Sequence, residues 1–301
     1  MRNYGGPADR WQEVDMDSII DIHPHVISPD TERYPLTPLG GKQSTWSSKH
    51  PIAFDDLIKE MDAAGIAKAA VVQASTAYGH DNTYLAEAVA AHPDRLTGVF
   101  SVDVLAKDAV EKIDYWMSRG LTGLRLFTAG STVEGQSSWL NDPASFAAWQ
   151  YASDIGLPIC VQMRPPGIPM LRDLLDRFPD ARVIIDHLAR PVLEDGAPYA
   201  AAQALWDLAS YPGVHVKLTL RNIRASEAGM STVPAFMAHL MATFGADRVA
   251  WGSNFPAAET PLPELVVRAR EAVATLSPEE RTAVLGGTAL SLYPALLEGS
   301  A

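Results

Sequence analysis

The sequence predicts a single (β/α)8 barrel, an α/β fold in which eight parallel strands alternate with helices. The main observation is a series of eight short runs rich in Val, Ile, Leu and Ala, as expected for parallel strands that are covered on both faces. Segments with helical spacing separate these runs, and 301 residues suffice for one such barrel. The predicted strands are 18–22, 69–73, 97–102, 123–127, 158–162, 182–186, 214–219 and 248–252.

Helical periodicity follows the predicted strands. In the first helix, Phe54, Leu57, Ile58 and Met61 recur at helical intervals, and Gly65 supplies a C-terminal stop. Further helical faces lie within 84–89, 110–117, 146–155, 171–178, 205–209 and 236–244, and two closing helices are predicted at 265–276 and 279–292. A doubly wound open sheet is the alternative fold, but it usually carries a Gly-rich turn after the first strand, where this chain has His-Pro-His.

One domain is expected to span residues 1–301, with 1–14 as an N-terminal extension. Residues 28–51 form the longest irregular stretch, which is rich in proline and poor in periodic apolar residues. We interpret this stretch as a loop over the mouth of the barrel, where it can shape or close a binding site.

The composition excludes several classes of protein. A net charge of −12, with no dense run of Lys and Arg, argues against a nucleic-acid surface. The first residues lack an apolar signal region, and no stretch contains 18 uninterrupted apolar residues, so we expect a cytoplasmic protein that does not bind membranes. The single cysteine, Cys160, lies in an apolar run and is predicted to be buried and inert.

Polar residues cluster at the C-terminal ends of the predicted strands, where barrel enzymes carry out their chemistry. Two histidines one residue apart after an apolar run, with a third after strand 6, favour metal or proton chemistry over structural roles, because imidazole is both a ligand and a near-neutral base. The candidates are His23, His25, Ser75, Tyr78, Arg125, Arg164, His187, Arg190, Arg221 and Asn254.

Other polar residues in and near the strands favour structural roles. Asp21 is expected to make a structural hydrogen bond. Lys217 lies inside a strand and needs a carboxylate partner if it is buried, which favours a paired structural lysine over a catalytic one. Arg190 precedes a proline and equally suits a loop cap, and His80 has no assigned role, since its neighbour Asp81 suits a helix cap.

Five motifs in order resemble the amidohydrolase superfamily, and most of all its amidohydrolase-2 branch, which includes 2-pyrone-4,6-dicarboxylate lactonases and sugar lactonases. The resemblance covers residues 15–294 and implies a (β/α)8 barrel that hydrolyses lactones, esters or amides with an activated water. It also suggests a role in the catabolism of aromatic compounds. The motifs are Asp21-Ile-His-Pro-His25, Val71-Val-Gln-Ala-Ser75, Gly123-Leu-Arg-Leu126, Val183-Ile-Ile-Asp-His-Leu-Ala-Arg-Pro191 and Trp251-Gly-Ser-Asn-Phe-Pro256.

The resemblance also implies roles for individual residues. His23 and His25 match the strand 1 pair, His187 matches the strand 6 histidine, and Asn254 stands where these hydrolases carry a catalytic aspartate. The resemblance implies that Ser75 contacts the substrate and that Arg125, Arg190 and Arg221 hold its carboxylates. Contacts to the substrate are also expected for Arg164 and Tyr78.

Two departures from the pattern bear on metals. Strand 5 ends without the lysine or histidine that would bridge two metals, so a binuclear centre is not expected. With Asn254 in the aspartate position, the carboxylate ligand is also lost. His23, His25 and His187 could still hold one zinc ion with water as the fourth ligand, but the lactonase branch resembles a metal-independent system, and we favour hydrolysis that requires no cofactor.

The predicted function is hydrolysis of a small anionic lactone, ester or amide. Arginines would bind its carboxylate, one cationic imidazole would stabilise the oxyanion, and a neutral imidazole would serve as general base while Asn254 orients the water. A metal-dependent decarboxylase of an aromatic or unsaturated acid and a non-catalytic binding protein are the alternatives. Trp116, Trp149 and Trp206 suit either core packing or a homodimer contact.

Overall fold

The computed structural model describes residues 18–128 and 139–298, in which eight parallel strands pair in sequence order. The predicted extension, residues 1–14, lies outside the described residues. Each predicted strand is present, with bounds shifted by a few residues at most. The strands are β1 (Ile19–Asp21), β2 (Ile66–Val72), β3 (Leu96–Phe100), β4 (Leu121–Phe127), β5 (Ile159–Gln162), β6 (Val183–Ile185), β7 (Val214–Leu218) and β8 (Val249–Trp251).

The sheet curls into a nearly closed barrel. The backbone N–H of Ile22, just after β1, donates to the carbonyl of Trp251 in β8 over 3.3 Å, which links the first and last strands. Inside the barrel Ile20, Val72 and Ile184 pack with Cys160, which is buried as predicted. The (β/α)8 prediction is therefore confirmed.

Helices surround the barrel as the periodicity predicts. In the first long helix Leu57 and Met61 are fully buried, and Gly65 ends the helix in a left-handed conformation with φ of 71°. The helices are α1 (Thr45–Lys49), α2 (Phe54–Ala64), α3 (Ser75–Tyr78), α4 (Thr83–Ala91), α5 (Ala109–Met117), α6 (Phe146–Asp154), α7 (Ile168–Arg177), α8 (Gln203–Trp206), α9 (Leu220–Ala225), α10 (Val233–Phe244), α11 (Leu262–Ala272), α12 (Pro278–Thr282), α13 (Thr288–Leu292) and α14 (Ala295–Glu298). None of these helices is long and apolar enough to cross a membrane.

The predicted closing helix at 279–292 contains an irregular segment. A π-helical turn, Ala283–Gly287, separates α12 from α13. Here the helix lies against the start of β1, and a Cβ at Gly286 would stand 2.6 Å from the carbonyl oxygen of Ser18. The absence of a side chain at Gly286 allows this close approach. Tyr293, which follows α13, is fully buried with the residues inside the barrel.

Residues 28–51 lie against the polypeptide that follows β2. The N–H groups of Thr37 and Leu39 donate to the carbonyls of Ala77 and Ser75, both over 2.9 Å. The stretch also contains α1, a helix too short for its periodicity to be recognised in the sequence. Trp46 in α1 stacks on His25, with ring centroids 5.0 Å apart, so this segment covers part of the strand ends.

A candidate active site at the C-terminal strand ends

A cavity of about 130 Å³ opens at the C-terminal ends of the strands. It collects side chains from widely separated parts of the chain, including six of the predicted site residues. The described residues that line it are His25, Trp46, Thr76, Arg125, Phe127, Gln162, His187, Arg190, Arg221, Asn254 and Ala257.

Three imidazoles lie together at the base of this cavity. The rings of His23 and His187 stack with centroids 4.9 Å apart, and His25 meets His23 edge-on at 5.0 Å. All three side chains are buried, and His23 is completely shielded from solvent behind the other two. The chain thus brings together the histidines that the sequence predicts to share a site.

Hydrogen bonds fix which nitrogen carries the proton in two of these rings. Nδ1 of His25 lies 2.7 Å from the carbonyl oxygen of Val72, which can only accept, so Nδ1 is the donor. Nδ1 of His187 lies 3.0 Å from the hydroxyl of Thr219, and this hydroxyl donates its own proton to Oδ1 of Asn222. It must therefore accept from His187. In the neutral state both rings keep a lone pair on Nε2, which suits a proton acceptor.

His187 is held by an unusual turn after β6. Four consecutive residues, His187 to Arg190, have left-handed backbone conformations with φ of 52°, 51°, 53° and 58°. Such a conformation costs a residue with a side chain roughly 1–2 kcal/mol. The turn is held by Asn222, whose amide donates to the carbonyl of His187 over 2.8 Å, and it places both His187 and Arg190 at the cavity.

The imidazoles are neutral at neutral pH. Burial lowers the pKa of His25 and of His187 from 6.5 to about 3, and it lowers the pKa of His23 well below 6.5. The cations of Arg125 and Lys217 reinforce this effect. The expectation that one imidazole of the cluster is a cation is therefore wrong, and the positive charge beside the cavity comes from arginine and lysine.

A buried ion network lies beneath the histidines. Nζ of Lys217 is 2.7 Å from Oδ1 of Asp186, and Nε of Arg125 is 3.4 Å from Oδ2 of the same carboxylate. Nδ1 of His23 stands 3.8 Å from Oδ1. Burial alone would raise the pKa of Asp186, but the two cations outweigh it and lower this pKa to about 2. Lys217 thus has the carboxylate partner that its buried position requires.

Arg125 is more constrained than the sequence suggests. Besides its contact with Asp186, its terminal nitrogens donate to the carbonyl of Gln73 and to Oε1 of Gln162, over 3.0 and 3.1 Å. Three of the five guanidinium N–H groups thus have protein acceptors among the described residues. Arg125 forms a wall of the cavity and keeps one N–H on each terminal nitrogen.

Arg164, Arg190 and Arg221 form a second cationic group, of which Arg190 and Arg221 line the cavity. Within the described ranges none of the three has a carboxylate at ion-pair distance. Burial, followed by repulsion from Arg221 and Arg164, lowers the pKa of Arg190 to about 10. Arg190 therefore lies within electrostatic range of the other two guanidinium groups. Such a cluster favours an anion, and guanidinium groups can bind a carboxylate bidentately.

Three predicted contacts, Ser75, Tyr78 and Arg164, lie outside the cavity lining. Ser75 is buried in α3, and the next residue, Thr76, reaches the cavity. Tyr78 is also buried, and its hydroxyl accepts a hydrogen bond of 2.8 Å from the N–H of Ser28.

Asp21 has the structural role that was expected, because its Oδ1 accepts from the N–H groups of His23 and Ser253 over 2.9 and 2.8 Å.

Comparison with known proteins assigns the chain to a family. A family model described as amidohydrolase matches residues 20–295, nearly the whole chain. The protein belongs to the amidohydrolase family. The predicted enzyme class, a hydrolase of the amidohydrolase superfamily, is thereby confirmed.

Several relatives of this amidohydrolase have names or solved structures. An L-fucono-1,5-lactonase from Burkholderia multivorans is 27% identical over 91% of this chain and 95% of its own length. An L-fucono-1,5-lactonase from Burkholderia ambifaria is 30% identical over 119 residues, which cover 39% of this chain and only 41% of that protein. A crystal structure from Pseudomonas putida, described as a 2-pyrone-4,6-dicarboxylic acid hydrolase, superposes with a TM-score of 0.75 over 93% of this chain and 99% of that one, at 23% identity. That likeness shows the shared fold.

Asn254 of this amidohydrolase lies in the cavity wall just after β8. Its backbone is left-handed, with φ of 57°, a conformation that asparagine tolerates better than most residues. Its carbonyl accepts from the N–H of Ala258 over 2.8 Å, and the N–H of His25 donates to the carbonyl of Phe255 over 2.8 Å. These bonds keep the amide beside the imidazoles.

The donor set does not suit a metal ion. No group of three or more His, Cys, Asp or Glu side chains in residues 18–128 and 139–298 is arranged to hold one. The nearest carboxylate, Asp186, is already bound by Lys217 and Arg125, and these two buried cations would repel a divalent ion. These features disfavour a zinc ion on His23, His25 and His187.

Proposed function

We propose that this amidohydrolase hydrolyses a small lactone or ester that carries a carboxylate, without a metal ion. The observation that supports this most strongly is the group of three arginines without carboxylate partners in the described chain, beside a buried histidine with a lone pair on Nε2. The names of the two lactonase relatives point to the same reaction class.

In the proposed complex, Arg190 and Arg221 bind the substrate carboxylate, with Arg164 at the rim. This places the ring of the lactone over His25 and His187, which line the same cavity. Arg125 lines the cavity, and its N–H groups that have no acceptor among the described residues can donate to the carbonyl oxygen as negative charge develops on it.

His187 is the proposed general base. Its Nε2 accepts a proton from water while the water oxygen bonds to the carbonyl carbon, and the amide of Asn254 orients this water. The ring C–O bond then breaks, and the leaving oxygen takes up the proton from His187. The products are a hydroxy acid and the regenerated neutral imidazole, with one water consumed. Asp186 favours the transient imidazolium, because its negative charge raises the pKa of His187.

Binding of the substrate strengthens this base. In the free protein the positive charge of Arg190 contributes to the low pKa of His187, after burial and Lys217. A carboxylate bound to Arg190 cancels part of that charge, which raises the pKa of the neighbouring imidazole. The proposed base is therefore weak in the empty site and stronger in the substrate complex.

The carboxylate requirement is tested with matched lactones, one bearing a carboxylate and the other its carboxamide. Arg221→Met is expected to lower kcat/KM for the carboxylate lactone by roughly 10- to 100-fold, since a hydrogen bond to a charged group contributes about 1.5–3 kcal/mol. The carboxamide lactone should be little affected. Arg224→Met, an exposed arginine on the same helix α9, is the matched control. Equal loss on both substrates would contradict the assignment.

The metal requirement is tested on the same reaction. Protein dialysed against EDTA, with its metal content measured by elemental analysis, should retain its turnover. Loss of lactone hydrolysis that zinc restores would contradict the metal-free mechanism. Metal-dependent release of CO2 from an aromatic or unsaturated acid, without turnover of any lactone, would favour the alternative, a decarboxylase. Binding of the acids without turnover of any lactone would instead favour a non-catalytic binding protein.

A further inference from the structure

A second cavity of about 320 Å³ lies beside the candidate active site. It opens between the segments that follow β2, β3 and β4, whereas Arg164, Arg190 and Arg221 follow β5, β6 and β7. The proposed function does not use it. We call it the side pocket, and its apolar lining consists of Leu39, Val102, Leu105, Leu126, Phe127 and Trp139.

The side pocket and the active-site cavity share a wall. Arg125 and Phe127 line both cavities, and the guanidinium carbon of Arg125 stands 4.8 Å from the centroid of the Phe127 ring. Arg125 is held in place by Asp186, Gln73 and Gln162, so this wall is rigid. A ligand that extends over these two side chains reaches both cavities.

The sizes of the cavities suit one ligand that extends through both. Ligand pockets commonly measure about 300–1,000 Å³. The active-site cavity, at about 130 Å³, is below this range, whereas the side pocket, at about 320 Å³, lies within it. The smaller cavity suits the reacting ring and its carboxylate, and the larger one has room for a substituent.

The lining of the side pocket indicates the chemistry of that substituent. Besides Arg125 in the shared wall, whose charge is paired with Asp186, its polar groups are few: Nδ1 of His80 is hydrogen-bonded to the hydroxyl of Ser101 over 2.9 Å, and the exposed carboxylate of Asp103 stands at the rim. Asp103 repels a second anion. The aromatic rings of Phe127 and Trp139 suit a flat apolar group instead.

We propose that the side pocket binds an uncharged, flat apolar substituent of the substrate, such as an aromatic ring. This inference rests on the proposed function, because the carboxylate of the same molecule is bound by the arginine group across the cavity. The substrate is then an acid lactone with one charged and one apolar end, and the distance between the two groups determines which isomers bind.

Calorimetric titration with benzoate, biphenyl-3-carboxylate and biphenyl-4-carboxylate tests the proposal without relying on turnover. At least one biphenyl acid should bind the wild-type protein about tenfold more tightly than benzoate, or better, because its second ring is removed from water. Leu105→Trp, which fills the side pocket, should abolish this gain and leave benzoate affinity unchanged. Val267→Trp, at an exposed position on α11, is the control.

Leu39→Glu is a second variant that places a charge in the side pocket, and it should also abolish the gain. Equal affinities for benzoate and both biphenyl acids, or a gain that survives both substitutions, would overturn the proposal. The two failures are distinguishable. If carboxylate lactones are hydrolysed but the biphenyl gain is missing, only the side-pocket inference fails. If the gain is present and no lactone is hydrolysed, only the proposed reaction fails.

Discussion

Replacement of Lys217 by methionine is expected to destabilise the barrel strongly. Lys217 and Asp186 are both fully buried, with 2.7 Å between Nζ and Oδ1. The drop in the pKa of Asp186 from 3.8 to about 2 corresponds to roughly 2 kcal/mol in favour of the folded carboxylate, after its burial cost is included. Without Lys217, Asp186 keeps only Arg125 at 3.4 Å, and loss of one partner from a buried pair typically costs about 3–5 kcal/mol.

The assay is unfolding in guanidinium chloride, followed by tryptophan fluorescence and by circular dichroism, whose transitions should coincide. Asp186→Asn should also destabilise, because it leaves the lysine cation buried. The double variant, with Lys217→Met and Asp186→Asn together, should lose clearly less than the sum of the single losses, since neither charge is then left without its partner. A loss below about 1 kcal/mol for Lys217→Met, or single losses that simply add, would refute the buried ion pair as a stabilising unit.

Three further predictions concern the cavity and its imidazoles. Asn254→Asp adds a carboxylate to the cavity that holds His25 and His187. In a calorimetric titration this variant should bind Zn²⁺ at least about tenfold more tightly than the wild type or the Asn254→Ala variant. Equal affinities would place residue 254 away from the imidazole lone pairs. The pKa of His187 is lowered from 6.5 to about 3, so this base stays deprotonated as the pH falls. The value of kcat/KM should therefore be constant from pH 8 to pH 5. A decrease in kcat/KM with a midpoint near pH 6.5 would contradict the assignment. Over the same range the free energy of unfolding should decrease once pH falls below 6.5, because the unfolded chain takes up protons that the buried imidazoles of the folded protein do not bind.

The alternation of apolar runs and helical periodicity sufficed to predict the barrel. Each of the eight strands is buried on both faces, and that burial requires the continuous Val, Ile and Leu runs that make the strands visible in the sequence. The short helix α1 and the π-helical turn Ala283–Gly287 were not predicted. Five residues are too few to show a period, and the π turn depends on the approach of Gly286 to Ser18, which is a tertiary contact.

The sequence was sufficient to predict which residues form the candidate site, but not their protonation states. His25, His187, Arg190, Arg221 and Asn254 all follow strands, and a barrel brings the ends of its strands together. The protonation states depend on burial and on neighbouring charges, which a sequence does not display. For this reason the cationic imidazole was wrongly expected.

Other parts of the site had no signal in the sequence. Asp186 follows a strand like many aspartates, and only its distance to Lys217 shows that it organises the buried charges. The left-handed turn from His187 to Arg190 contains no glycine that would mark it. Tyr78 was expected to contact the substrate, but it is buried and its hydroxyl accepts a hydrogen bond from the N–H of Ser28.

The turnover of His187→Asn tests the central claim most directly, namely that the Nε2 lone pair of His187 accepts the proton of the attacking water. Asparagine tolerates the left-handed backbone at this position and cannot serve as a base. On a carboxylate lactone, with metal-stripped protein, kcat should fall by roughly 10²- to 10⁴-fold while KM changes little. A variant that folds normally and keeps kcat within a few-fold of the wild type would contradict the account.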